Sequence, residues 1–218
     1  MTTLIWPAPV AAPSANAAQR TRSAAGILCA IGYFCSSFIE SVVSTVDGDA
    51  SPAAQLAHIK TNLPQIGAQV LFEYLTPLFL LGLAFAMVSA LRHRGAWLGS
   101  LGAALAAIGA VAGAAGASVH LVCLTLITAG APDVAATSIL SAQLPDALFF
   151  GLFAAPIALL VFAGAAWRAR VTSWIPFAMV AVYLVLEFSG IVPELVPVVL
   201  GLVAYLIILW PLVRDRGE

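Results

Sequence analysis

Long apolar stretches alternate along the chain with short polar or basic ones, and this pattern predicts six membrane-spanning helices. A helix rises about 1.5 Å per residue, so about 20 apolar residues cross a hydrocarbon core of about 30 Å. Polar clusters, glycine or proline separate six stretches of roughly this length. The predicted spans cover residues 24–46, 69–91, 97–128, 146–167, 174–190 and 193–213.

The second span shows the pattern most clearly. No charged residue occurs from Leu75 to Leu91, and Arg92 and Arg94 follow immediately. Glu73 lies near the opposite end of the same span. Because basic clusters are retained on the cytoplasmic side of a membrane, this span has its inner end at Arg92 and an acid near its outer end.

The arginines predict the orientation of the whole chain. Eight of the nine lysine and arginine residues flank predicted spans at the two tails and at two turns, and only Lys60 lies elsewhere. The eight are Arg20, Arg22, Arg92, Arg94, Arg168, Arg170, Arg214 and Arg216. Six spans with both termini in the cytoplasm put all eight on one side. We therefore expect an all-α polytopic membrane helix bundle, with residues 20–218 as one six-helix transmembrane domain and residues 1–19 as a flexible cytoplasmic tail.

Two outer connections are predicted to contain short helices. Ser51 followed by Pro52 is a typical helix start, because serine caps the first turn and proline is tolerated there. This helix is expected to end before Pro64, and Asp133 marks a similar start in the second connection.

Composition supports the membrane class. Hydrophobic residues make up 62% of the chain and charged residues 9%, whereas soluble domains carry about 25% charged residues. The net charge of −1 indicates no nucleic-acid partner. Abundant alanine, glycine and arginine with a single lysine are typical of a GC-rich bacterial genome. The predicted location is therefore the bacterial plasma membrane.

Glycines recur on successive turns of the third span. Gly109 and Gly113 form a GxxxG pattern, and small residues let helix backbones approach closely in lipid. We expect this span to be a central packing helix, and the Gly109/Gly113 face to be available to a second copy or another membrane partner. The span is longer than one crossing, so tilt would bring His120 near the outer boundary.

Three glutamates on three different spans lie at one depth. Glu40, Glu73 and Glu187 are 17 to 19 residues from the arginines at the inner ends of their spans, which is roughly 25 to 29 Å. With His120, they predict a polar pocket under the outer loops. The predicted ligand-binding residues are Glu40, Glu73, Tyr74, His120, Tyr183 and Glu187.

Ionisable residues inside a membrane cost on the order of 3 kcal/mol and tend to face functional cavities. The alternative is that Glu40 and Glu187 reach water at the ends of their helices. Glu73 is the stronger candidate, since a full span follows it. In addition, Pro77, four residues later, has no backbone N–H to donate to the carbonyl oxygen of Glu73. His120 is either a ligand or an ordinary interior histidine.

The sequence contains no recognisable cofactor motif, and no cofactor is predicted. Glu40, Glu73 and His120 could together hold a metal ion, but no HExxH or ExxH spacing supports such a site. Nucleotide-binding and nucleophile-elbow patterns are missing from the sequence.

Three segments carry a resemblance to a known family: RSAAGIL from Arg22, FEYLTPLFLLGLAFAMVSALRHR from Phe72 and RARVTSWIPFAMVAVYLV from Arg168. In layout they resemble a broad prokaryotic family of six-span integral membrane proteins of unknown function. The resemblance implies the six-span fold and no particular activity.

Three functions remain open. The leading hypothesis is the binding, sensing or transport of a small or amphiphilic ligand, or a cation, in the outer pocket, and it is preferred over catalysis. The second is an intramembrane enzyme in which Glu73 acts as general acid or base with His120 on a lipid or isoprenoid-like substrate. The third is a structural subunit or assembly factor that uses the glycine-rich face.

Overall fold

A computed structural model describes residues 15–43, 51–141, 150–189, 191–193 and 195–213. These residues form helices joined by short turns, and no strand occurs among them. The prediction of an all-α fold is confirmed. The helices are α1 (Ala15–Val43), α2 (Pro52–Thr61), α3 (Leu63–Leu91), α4 (Ala96–Thr128), α5 (Asp133–Ser141), α6 (Ala154–Arg168), α7 (Ile175–Ser189) and α8 (Leu195–Val213).

Four helical segments are long and apolar enough to cross a membrane, and this length and composition indicate a membrane protein. They are Thr21–Val42 within α1, Leu63–Leu91, Ala96–Thr128 and Phe150–Arg168. Two shorter apolar helices follow, Ile175–Ser189 and Leu195–Pro211.

Two helix starts differ from the prediction. Helix α1 begins at Ala15, so residues 15–19 are helical, and alanine and glutamine there favour helix. Helix α3 begins at Leu63, because Pro64 occupies its first turn, where a missing N–H costs nothing. Three parts of the prediction lie outside the described residues. They are residues 1–14, the predicted span boundaries at 46 and 146, and the tail from Arg214.

The two predicted short helices are present. Ser51 caps α2 by accepting a hydrogen bond from the backbone N–H of Ala54 (3.3 Å), and α5 begins at Asp133. Helices α2 and α5 pack together, and the Lys60 ammonium forms an exposed salt bridge with the Asp133 carboxylate. We call this end of the bundle the cap end.

The six helices other than α2 and α5 form a closed ring in the order α1, α3, α4, α6, α7, α8 and back to α1. Arg22 on α1 and Arg92 after α3 line one groove, and Gly95 lies against the last turn of α6. We call this the arginine end. Apolar side chains from the ring helices form one core, with Phe34 and Tyr205 among its fully buried members.

Helix α4 is one member of this ring and not a central helix, which corrects the prediction. Its outward face exposes Ile108 and Val111. At Gly109 a Cβ would lie 2.7 Å from the backbone N of Ala155, so α6 does approach closely there. At Gly113 a Cβ would meet nothing within 4 Å, because a cavity opens beside it. The expected packing role is right for Gly109 and wrong for Gly113.

Candidate functional site

A cavity of about 590 Å³ lies in the cap-end half of the ring, between α1, α3, α4, α6 and α7. The absence of side chains on one wall creates much of this space, since Gly109, Gly113 and Gly116 of α4 all border it. The cavity brings together five of the six predicted site residues. They are Glu40, Glu73, His120, Tyr183 and Glu187.

Glu73 and His120 form the best-defined contact in the cavity. The Nδ1 atom of His120 lies 2.9 Å from both carboxylate oxygens of Glu73. The Glu73 side chain is 14% exposed and that of His120 is 41% exposed. The imidazole that contacts Glu73 comes from α4, 47 residues along the chain.

Gln69 completes this contact from the same helix as Glu73. Its side-chain amide donates a hydrogen bond of 2.8 Å to Oε1 of Glu73, and the residue is buried. Sequence analysis missed Gln69, although its position one helical turn before Glu73 puts both on one face. Held by Gln69, the carboxylate of Glu73 favours the His120 tautomer with a proton on Nδ1, which leaves Nε2 as the basic nitrogen of the neutral ring.

Glu40 is tied to the neighbouring helix through Thr76. The Thr76 hydroxyl donates to the Glu40 carboxylate, and it also lies 3.0 Å from the carbonyl oxygen of Phe72. Glu40 is half-buried, so it does not extend into open solvent. Its carboxylate binds Thr76 and is not part of the Glu73–His120 contact. It remains close enough to Glu73 for the two carboxylates to interact electrostatically.

Helix α7 contributes Tyr183 and Glu187, which are four residues apart. Tyr183 is buried, and its ring packs edge-on against Phe34 with the ring centroids 5.6 Å apart. Glu187 is exposed and interacts electrostatically with the hydroxyl groups of Tyr33 and Tyr183. Tyr33 is a lining residue that sequence analysis missed, although it lies seven residues before Glu40 and thus on the same face of α1.

Tyr74 does not belong to the cavity, which corrects its inclusion in the predicted site. Its hydroxyl lies 2.9 Å from the hydroxyl of Ser118, and its ring lines a separate groove of about 310 Å³ between α3 and α4. Consecutive helical residues point about 100° apart, and on α3 this turns Tyr74 toward the α4 groove while Glu73 faces the cavity.

The predicted metal ligands do not assemble into a metal site. Within the part of the chain that the structure describes, no group of three histidine, cysteine, aspartate or glutamate residues could hold a metal ion. Glu73 and His120 are in contact, whereas Glu40 binds Thr76. The described lining of the cavity also contains no lysine or arginine.

Comparisons with protein-family models, with curated proteins and with solved structures find no match for this chain. The resemblance in layout to a six-span prokaryotic family therefore stays an expectation. The functional interpretation rests on the geometry of the cavity itself.

Proposed function

We propose that the chain is a bacterial plasma-membrane protein with six spans and both termini in the cytoplasm. Four long apolar helices and two shorter ones close a single ring, which supports a count of six. The shorter helices α7 and α8, of 15 and 19 residues, rise roughly 22 and 28 Å. The described arginines gather at one end of the ring, which supports a cytoplasmic location for that end.

The ring binds a small or amphiphilic ligand, or a cation, in the cavity at its outer half. The observation that carries this proposal is the convergence of three glutamates and one histidine, from four helices, on one cavity of about 590 Å³. Small-molecule sites usually have volumes of about 300 to 1,000 Å³. This role is binding, sensing or transport.

The lining favours a ligand that carries positive charge. Three carboxylates border the cavity, and its described lining contains no lysine or arginine. Leu80, Leu152 and Phe188 provide apolar surface in the same cavity. A ligand with an ammonium group and an alkyl chain fits both parts of this lining. The ammonium group would lie near Glu40 and Glu187, and the alkyl chain would lie against the apolar wall.

Three probes with the same alkyl chain test this preference. Decylammonium carries a positive charge, decanol is neutral and decanoate is negative. We expect decylammonium to raise the unfolding temperature of the purified protein in uncharged detergent, measured by scanning fluorimetry, and the other two to have little effect. Binding of a ligand to the folded state stabilises it by mass action.

Variants test whether decylammonium raises the unfolding temperature by binding in the cavity. Glu40→Gln and Glu187→Gln are each expected to reduce the decylammonium effect, and Tyr74→Phe, which lies on the other face of α3, is the matched control. An equal response to decanol, or an unchanged response in the double variant Glu40→Gln/Glu187→Gln, would contradict the proposed charge preference.

The Glu73–His120 contact favours catalysis as a second candidate. A carboxylate that orients an imidazole through Nδ1 leaves Nε2 able to accept a proton from a substrate, as a general base does. The substrate class is a lipid or an isoprenoid. Incubation of the protein with polyprenyl alcohols and membrane lipids, followed by mass spectrometry, tests this candidate: a product must form with the parent protein and be lost with His120→Asn.

A further inference from the structure

A second concave surface lies at the arginine end, far from the cavity described above. It is a groove of about 420 Å³ between α1 and α3. Arg22 of α1 and Arg92, directly after α3, border it together with the apolar side chain of Phe85. Its other lining residues are small or apolar, namely Ala25, Gly82, Ala86, Val88 and Ser89.

Close packing of α1 on α3 fixes the width of this groove. A Cβ on Gly26 would lie 2.5 Å from the Cβ of Ala86, and a Cβ on Gly82 would overlap the Cys29 sulfur. At each of these glycines the backbone of one helix therefore lies directly against a side chain of the other helix. Small side chains beside the seam leave the space open, and the rigid seam holds the two arginine positions relative to each other.

The groove combines two kinds of surface that occur together in a phospholipid. Both arginines are exposed, and no acidic residue is found among the described residues that line the groove. A guanidinium binds phosphate through paired hydrogen bonds. The Phe85 side chain is 77% exposed, which gives an alkyl chain an apolar wall on the lipid-facing surface of the bundle.

We propose that this groove binds one anionic phospholipid. The headgroup phosphate lies between Arg22 and Arg92, and one acyl chain lies along Phe85 and the small residues of the seam. Basic pockets between transmembrane helices near the cytoplasmic surface select anionic headgroups in this way. A free phosphate would use the arginines alone and leave the apolar wall uncovered. The proposal does not depend on the function of the cap-end cavity.

Native mass spectrometry of the purified full chain provides the test. Dioleoyl-phosphatidylglycerol and dioleoyl-phosphatidylcholine are added in equal amounts, with glycerol phosphate as a probe for the headgroup alone. We expect one phosphatidylglycerol to be retained about thirtyfold more than phosphatidylcholine, on the basis of two arginines near a membrane surface, and glycerol phosphate not to bind. No preference between the two lipids, or equal binding of glycerol phosphate, overturns the proposal.

Two double variants test whether the preference for phosphatidylglycerol comes from this groove or from a general attraction of the anionic lipid to positive charge. Arg22→Gln/Arg92→Gln should remove the preference for phosphatidylglycerol. Arg94→Gln/Arg168→Gln removes the same number of exposed charges at the same end, outside the groove, and should keep the preference. Equal loss in both would show an unspecific charge effect and overturn the proposal.

A third variant tests the acyl-chain part of the groove. Ala25 is exposed and lines the groove, so Ala25→Leu fills it without changing any charge. We expect Ala25→Leu to lower phosphatidylglycerol retention several-fold. Unchanged retention in Ala25→Leu would show that the lipid does not occupy the groove.

Discussion

The Nδ1 atom of His120 lies 2.9 Å from both carboxylate oxygens of Glu73, and this contact joins α3 to α4 inside the cavity. Gln69 donates to the same carboxylate at 2.8 Å. Two ionisable side chains and an amide from two helices therefore form one hydrogen-bonded unit. Its members hold one another in place, which is a requirement for any site that must present a defined imidazole nitrogen.

The first prediction concerns the energy of this contact. In a double-mutant cycle of Glu73→Gln and His120→Asn, we expect a coupling energy of about 1 kcal/mol, because the hydrogen bond is short but the imidazole is partly exposed. The free energy of unfolding is measured by titration with sodium dodecyl sulfate in mixed micelles. Glu73→Gln combined with Arg168→Gln, at the opposite end, should give a coupling energy near zero. Equal coupling in both pairs would contradict a direct interaction.

The second prediction distinguishes the two glycines of the GxxxG pattern. Gly109→Ala places a methyl group against the backbone of Ala155, and we expect it to destabilise the protein by about 1 to 3 kcal/mol. Gly113→Ala meets no atom within 4 Å and gains helix propensity, so stability should stay the same or rise by up to about 1 kcal/mol. The same unfolding assay measures both variants. Equal destabilisation would mean that α6 also covers Gly113.

A related variant connects Gly113 to ligand binding. Gly113→Leu should leave the protein folded, because its side chain enters the cavity and not the α4–α6 contact. It should also weaken the stabilisation by decylammonium, since it removes space in the cavity. Val111→Leu, on the exposed outer face of α4, is the control and should change neither property.

The third prediction is that the salt bridge between the two short helices contributes little. Lys60 and Asp133 are 42% and 65% exposed, and pairs of this kind usually contribute about 0 to 1 kcal/mol. Lys60→Ala and Asp133→Ala should each shift the unfolding free energy by less than about 1 kcal/mol. High salt should abolish any difference from the parent protein. A larger decrease in the free energy of unfolding that does not depend on salt would contradict this prediction and show that the contact stabilises the cap end.

The fourth prediction tests the proposed orientation. After replacement of Cys29, Cys35 and Cys123 by alanine, single cysteines are introduced at Val134 near the cap end and at Ala96 near the arginine end, both of which are exposed. A membrane-impermeant maleimide should label Val134→Cys in intact cells, and Ala96→Cys only after the membrane is opened. Labelling of Ala96→Cys in intact cells would reverse the orientation.

Local properties of the chain were predicted well from the sequence. The apolar segments, the helix starts at Ser51 and Asp133, and the common depth of the three glutamates depend on hydropathy, capping chemistry and the rise per residue. Each of these needs only neighbouring residues.

The tertiary structure decided which face of each helix points into the ring. Tyr74 follows Glu73 directly in sequence, yet it faces a different groove. Gly113 follows Gly109 by one turn, yet only Gly109 contacts α6. Hydropathy carries little information about rotation in an apolar helix, since residues that face lipid and residues that face the core are equally hydrophobic.

The sequence by itself determined that this is an all-helical membrane protein with acids at one level near one end. Only the tertiary structure decided that α3 and α4 are neighbours, that His120 pairs with Glu73, and that Glu40 pairs with Thr76. The physical reason is that the order of helices in the ring follows from side-chain packing between segments far apart in sequence. Spacing along one helix fixes the depth of a residue, but its partner depends on the neighbouring helix.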